Sequence, residues 1–190
     1  SILGENGANL TAGVDVTVTG GQATLSDEKI AEIIEKKMAD ADCEFVIMEV
    51  SAHALDMHRL AGMHFEVGAF SNFSQDHLDY FKDMDAYFAA KMRFFTPEMV
   101  ENIVYNVDDE HVARGIRESS DVYANDIEIA ERGSSFLMTW HKRFRQSVSL
   151  KLAGIFNVYN ALLAAGVAIC AGISPDVIRR GLEDVRAVPG

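Results

Sequence analysis

Phe45-Val46-Ile47-Met48-Glu49-Val50-Ser51 is the stretch on which the fold turns: four apolar residues in a row that run out into a carboxylate and a hydroxyl. A continuous apolar run fits a parallel strand covered on both faces, whereas a half-solvated strand alternates. Before it, Ile30, Ile33, Ile34 and Met38 recur at helical spacing, with Ser26 placed to cap the helix. After it, Phe65 to Phe70 reads as a second strand and Ile103 to Tyr105 as a third. Farther on the period changes. Phe136, Met138 and Trp140 alternate with polar residues, as do Val148, Leu150 and Leu152, and His141 to Arg145 reads as the hairpin between them. Asn157 to Ala171 reads as a helix stopped by Gly172, and Ser174-Pro175 starts another, with serine as cap and proline at the first helical position. Strands alternating with helices predict a three-layer α/β domain, a mostly parallel sheet with helices on both faces.

The chain has 190 residues, enough for one well-buried domain over 1–190. A net charge of -12 argues against nucleic acid and anionic membranes as partners, though a bound cation could still recruit an anionic nucleotide. Cys43 and Cys170 lack metal-type spacing and read as buried free thiols in a reducing compartment. The longest apolar stretch, Ala161 to Ile173, is too short to span a bilayer, and the expected location is the cytoplasm.

Each of the first three strands ends in polar residues: Glu49 and Ser51, then Asn72 with Asp76 and His77, then Asn106 with Asp108 and Asp109. In open parallel sheets the ligand crevice lies beyond the carboxyl ends of the strands, so three such ends make a polar crevice able to hold a metal. Glu49 is a hard oxygen donor that suits magnesium, and a strand-end glutamate facing water fits the same sequence. His53, His58, His64 and His77 crowd one stretch with Asp56, Asp76 and Asp79, without the spacing of a zinc site. If Met84 to Phe95 is helical, Lys91 shares a face with Tyr87, Phe88, Phe94 and Phe95. Its stem could snorkel along those rings with cation–π support. Alternatively, a partly dry neutral amine there could take up carbon dioxide and become a carbamate ligand for a metal.

Met48-Glu49-Val50-Ser51-Ala52-His53-Ala54-Leu55, Ser71 to Tyr80, Ala89-Ala90-Lys91, Asn106-Val107-Asp108-Asp109 and Gly154 to Ala161 stand in order along the chain. Together they resemble the central, ATP-binding domain of the Mur ligase family, of the type that adds the third residue to UDP-N-acetylmuramoyl-L-alanyl-D-glutamate. Val188-Pro189-Gly190 resembles that family's hinge into its C-terminal domain. The resemblance implies Glu49 on one magnesium, and His77 with carbamylated Lys91 on the other. It implies Asn157 near the adenine of ATP, and Ser51, Arg59 and Thr24 against the UDP-muramoyl-dipeptide. Ala52 and Met57 stand where the family commonly has serine and glutamine, which bears on substrate affinity more than on catalysis. The implied partners are the muramoyl-dipeptide, an amino acid and the remaining domains of the same protein.

No Gly-Lys-Ser/Thr occurs anywhere in the sequence, so the phosphate-cradling loop of such a P-loop-type domain is expected outside it. The expectation is an N-terminally truncated central domain, inactive alone, from an ATP-dependent acid–amino-acid ligase working through an acyl phosphate. Two alternatives stay open on the residues: a metal-dependent phosphoesterase and a non-catalytic binding module.

Overall fold

The computed structural model describes residues 2–3, 32–33, 36–37, 39–40, 44–60, 62–74, 80–109, 122–140 and 144–186. They fall into two compact units, one from Ser1–His64 with His77–Met99 and the other from Phe65–Asp76 with Val100–Gly190.

In the first unit, β1 (Ile2–Leu3) pairs antiparallel with β2 (Ile47–Met48). The parallel, doubly covered strand expected at Phe45 to Met48 is therefore a two-residue antiparallel strand, and Phe45 and Ile47 are exposed. An apolar run is buried on both faces only where two layers cover it, and a two-residue ladder supplies neither. The backbone is helical at Glu32, Ile33, Lys36, Lys37, Ala39 and Asp40, inside the helix expected before β2; Ser26 lies outside the described residues. Helix α1 (Ala52–Asp56) follows β2 and buries Ala52 and Leu55. Helix α2 (Met84–Met92) packs against α1 and buries Tyr87 and Ala90, with Asp83 capping the Ala86 amide at 2.9 Å. It stops at Met92, short of the expected Phe95. Phe94 and Phe95 then donate to Lys91 and Met92 in tight three-residue turns.

In the second unit, β3 (Phe65–Phe70) runs parallel to β4 (Val100–Tyr105), in register from Phe65 opposite Val100 to Phe70 opposite Tyr105. Strands β5 (Val122–Ala130), β6 (Gly133–Trp140) and β7 (Phe144–Leu150) form an antiparallel sheet in that order. The α/β class stands: parallel pairing is described at β3–β4, and the later strands add an antiparallel sheet. Alternation does its expected work here, since Phe136, Met138, Trp140, Val148 and Leu150 all face one core. Helices α3 (Ile155–Cys170) and α4 (Pro175–Asp184) cover that face with Val158, Ala161, Ala165, Ile178 and Leu182. Gly172, at φ 73°, ends α3 in a left-handed turn that Ala171 only precedes. Ser174 precedes Pro175 as expected, but caps α4 through its backbone carbonyl and not its side chain. Cys170 is exposed and not buried as expected, while Cys43 lies outside the described residues. Partial desolvation and the charge of Glu66 raise the Cys170 thiol above its ordinary pKa.

Candidate functional site

In the second unit the carboxyl ends of β3 and β4 are tied together by side chains. The Asn106 amide N–H donates to the Phe70 carbonyl at 3.2 Å, extending the ladder by one residue. Asn106 Nδ2 donates to Asn72 Oδ1 at 3.3 Å, and the Phe73 amide donates to Asp109 Oδ2 at 2.8 Å. Asn106 Oδ1 also accepts from the Asp108 amide at 3.1 Å. Two of the three expected polar strand ends thus form one network. Tyr159 joins it from the first turns of α3 through a hydrogen bond with Asp108. Partial burial, that bond and the carboxylate's charge raise the phenol above its ordinary pKa, burial contributing most. The cluster opens on a cavity of about 560 Å³ lined by Asn106, Asp108, Tyr159, Leu162 and Cys170, among others. Asn157 does not line that cavity. Its Nδ2 donates to the Ala153 carbonyl at 2.8 Å, which fixes the carboxamide and leaves Oδ1 and one N–H to face a ligand.

The first unit holds Glu49, Ser51, Arg59 and Lys91. Glu49 is exposed directly after β2, and no described residue pairs with its carboxylate. Ser51 caps α1: its Oγ accepts from the Ala54 amide at 3.1 Å, so it already has a structural task. Arg59 is exposed in the turn after α1. Lys91 is half-buried on α2, with Nζ 5.1 Å from the centre of the Tyr87 ring, a cation–π placement on the aromatic face expected from sequence. His77 and Thr24 lie outside the described residues, as does Asp76. Among the described residues no three His, Cys, Asp or Glu side chains gather closely enough to hold a metal by themselves.

One cluster has no counterpart among the expected site residues. Asp56, at the end of α1, accepts from Arg93 Nη1 at 3.1 Å and from the Tyr80 hydroxyl at 3.0 Å. His53 stacks on the Tyr80 ring, with centroids 4.2 Å apart. The histidine and aspartate crowding in the sequence contained its signal, but not its partners, since Asp56 and Arg93 are 37 residues apart.

Parallel strands ending in a cluster of amides and carboxylates beside a helix start define an α/β domain of the ligand-binding kind. The model of the Mur ligase middle domain matches residues 6–168, and the chain belongs to that family. The UDP-N-acetylmuramoyl-L-alanyl-D-glutamate–2,6-diaminopimelate ligase of Bacillus velezensis is 38% identical over 174 residues, covering 82% of this chain and 35% of that protein. The same-named ligase of Corynebacterium glutamicum is 39% identical over 183 residues, covering 88% of this chain and 35% of that protein. A solved structure of a ligase of this name superposes with a TM-score of 0.66 at 28% identity, over 75% of this chain and 32% of that one. The chain thus spans about a third of the length of the relatives it matches. No described helix is long and apolar enough to cross a membrane.

Proposed function

We propose that this chain is the middle-domain portion of a cytoplasmic, ATP- and magnesium-dependent ligase that adds the third amino acid to UDP-N-acetylmuramoyl-L-alanyl-D-glutamate. The observation that carries the reading is the 39% identity with a ligase of that reaction across 88% of the chain. In such a reaction the D-glutamate carboxylate receives the γ-phosphoryl group of ATP, leaving ADP and an acyl phosphate. The incoming amine attacks the acyl carbon, loses a proton and displaces phosphate. The phosphate loop and the N- and C-terminal domains belong to the rest of the protein.

The residues present fit the groups this chemistry needs. Magnesium is commonly held by one or two carboxylates plus phosphate oxygens and water, so the exposed Glu49, which has no partner among the described residues, is a suitable ligand without a three-residue cage among them. His77 and Lys91 as a carbamate would hold the second ion; the amine reaches that state when its neutral form adds carbon dioxide and releases a proton. Magnesium supplies neutralisation of phosphate charge. Asn157, its carboxamide held by the Ala153 carbonyl, offers the donor–acceptor pair that an adenine edge accepts. Ser51, Arg59 and Thr24 are assigned to the muramoyl-dipeptide, Ser51 through atoms not spent on its capping bond.

The test uses the full-length protein with ATP, the muramoyl-dipeptide, and diaminopimelate or lysine. Amide product, with ADP and phosphate in equal amounts, should form only when ATP, the dipeptide and an amino acid are all present. Phosphate release from ATP with neither the dipeptide nor an amino acid present, and no amide product when both are supplied, would overturn the reading in favour of a phosphoesterase. The 190-residue chain alone, with no Gly-Lys-Ser/Thr to ring the phosphates, should bind ATP only weakly. Micromolar affinity by calorimetry on that chain would contradict this.

A further inference from the structure

The Asp56 carboxylate stands where three segments meet. It belongs to α1, between Ser51 at the helix start and Arg59 in the turn beyond it. Arg93, its ionic partner at 3.1 Å, follows α2 and lies two residues past Lys91. Tyr80, its second donor at 3.0 Å, precedes α2, and its ring is held from the other side by His53 of α1. Each of the two helices buries only two residues, Ala52 and Leu55 on α1 and Tyr87 and Ala90 on α2. Short helices packed through so few side chains can slide or roll, and directional hydrogen bonds at their ends select one arrangement.

We propose that Asp56 is a positioning residue: by gripping Arg93 and Tyr80 together it fixes α1 against the end of α2. It thereby sets the spacing between Ser51 and Arg59, which flank α1, and Lys91. The proposal rests on the function proposed above for Ser51, Arg59 and Lys91.

Exposure decides what kind of role this is. The Arg93 and Asp56 side chains retain 51% and 34% of their surface, so the pair is solvated and adds little to global stability. Geometry is its remaining product. Reactions that depend on alignment lose rate steeply when a reacting group is misplaced, even where folding is untouched.

The experiment compares Asp56→Ala, Asp56→Asn and Tyr80→Phe in the full-length protein with the unsubstituted enzyme. Asp56→Ala should lower kcat/KM for the muramoyl-dipeptide about tenfold, while KM for ATP stays within about twofold and the melting temperature hardly moves. Asp56→Asn keeps one acceptor oxygen for Arg93 Nη1 and turns an Nδ2 donor toward the Tyr80 hydroxyl, which can accept from it, so it should recover part of the loss. Tyr80→Phe should fall between the two. Hydrogen exchange at the Arg93, Phe94 and Phe95 amides supplies a readout that needs no turnover, and it should quicken in Asp56→Ala. Unchanged kinetics with unchanged exchange would overturn the proposal. So would a loss of activity that only tracks a loss of folded protein. If the unsubstituted enzyme makes no amide product while exchange still responds, the positioning contact stands and the functional reading fails instead.

Discussion

Met138 and Val158, in the unit built from Phe65–Asp76 and Val100–Gly190, expose none of their surface, whereas Ile47, in the other unit, exposes 69%. Both regions looked like core in the sequence. The difference lies in what each pattern requires. An alternating strand needs one covering layer, and α3 and α4 provide it for β6 and β7. A continuous apolar run needs two, and the short pairing of β2 with β1 provides neither. Glu49, Ser51, Arg59 and Lys91 belong to the unit that contains Ile47, not to the one that contains Met138, so chemistry and packing should respond to different substitutions.

The sharpest break would come at Lys91. In the full-length enzyme, Lys91→Arg should reduce turnover at least about a hundredfold, because loss of even an outer-shell partner of a metal ligand costs tens-fold or more. Arginine keeps the positive charge over Tyr87 but cannot form the carbamate in the same way. A small added carboxylate should partly restore Lys91→Ala by occupying the vacated ligand position. If Lys91→Arg works at the original rate, the 5.1 Å contact with Tyr87 is the whole of the lysine's role.

Packing should show the reverse dependence. Met138→Ala removes a side chain with no exposed surface and should cost about 2–5 kcal/mol in denaturant unfolding. Ile47→Ala should cost no more than about 0.5 kcal/mol, as for an ordinary surface change. Equal losses at the two sites would mean that β2 is buried in solution as its sequence suggests.

What could be read beforehand follows the same division. Phe65 to Phe70 stands as β3 to the residue, and α3 ends at its glycine, because both patterns are satisfied by neighbours within one unit. Strand β5 is absent from the sequence reading for a local reason. Its register shifts between Asn125 and Glu128, and Asp126 has φ 50°, so the two-residue period breaks where it would have been counted. The network at the ends of β3 and β4 was legible because every open parallel sheet gathers its strand ends. The grip of Asp56 on Arg93 and Tyr80 was not: no periodicity links positions 37 and 24 residues apart.

A smaller effect should appear where α3 crosses β4. A Cβ on Gly166 would lie 2.6 Å from Val104 Cγ1, and a β-branched valine has few rotamers to retreat into. Overpacking costs about 1–3 kcal/mol, against about 1 kcal/mol gained from the helix preference for alanine, so Gly166→Ala should lose up to about 2 kcal/mol. Combined with Val104→Ala, it should lose less than the sum of the two single changes. Strict additivity in unfolding experiments would show that the close approach carries no energy.

The smallest effect separates the two units by the cause of one shared shift. Tyr80 and Tyr159 both titrate above the ordinary value of 10.0, each beside an aspartate. For Tyr80 the leading cause is the hydrogen bond with Asp56, whereas for Tyr159 it is desolvation, ahead of the bond with Asp108. Asp56→Asn should therefore carry Tyr80 most of the way back, and Asp108→Asn should move Tyr159 only part of the way. A raised folded-state value means that the native state holds the phenolic proton more tightly than the unfolded chain does. The resulting stability is fully present below the unfolded value near 10.0 and is lost as pH rises through the higher folded value. Tyr159→Phe should accordingly flatten the decline of stability above that pH. With five tyrosines in the chain, phenolate absorbance of each Tyr→Phe variant subtracted from that of the unsubstituted protein isolates a single titration. If Asp108→Asn returned Tyr159 fully to 10.0, the carboxylate and not burial would control it, and the strand-end cluster would be wetter than the cavity beside it implies.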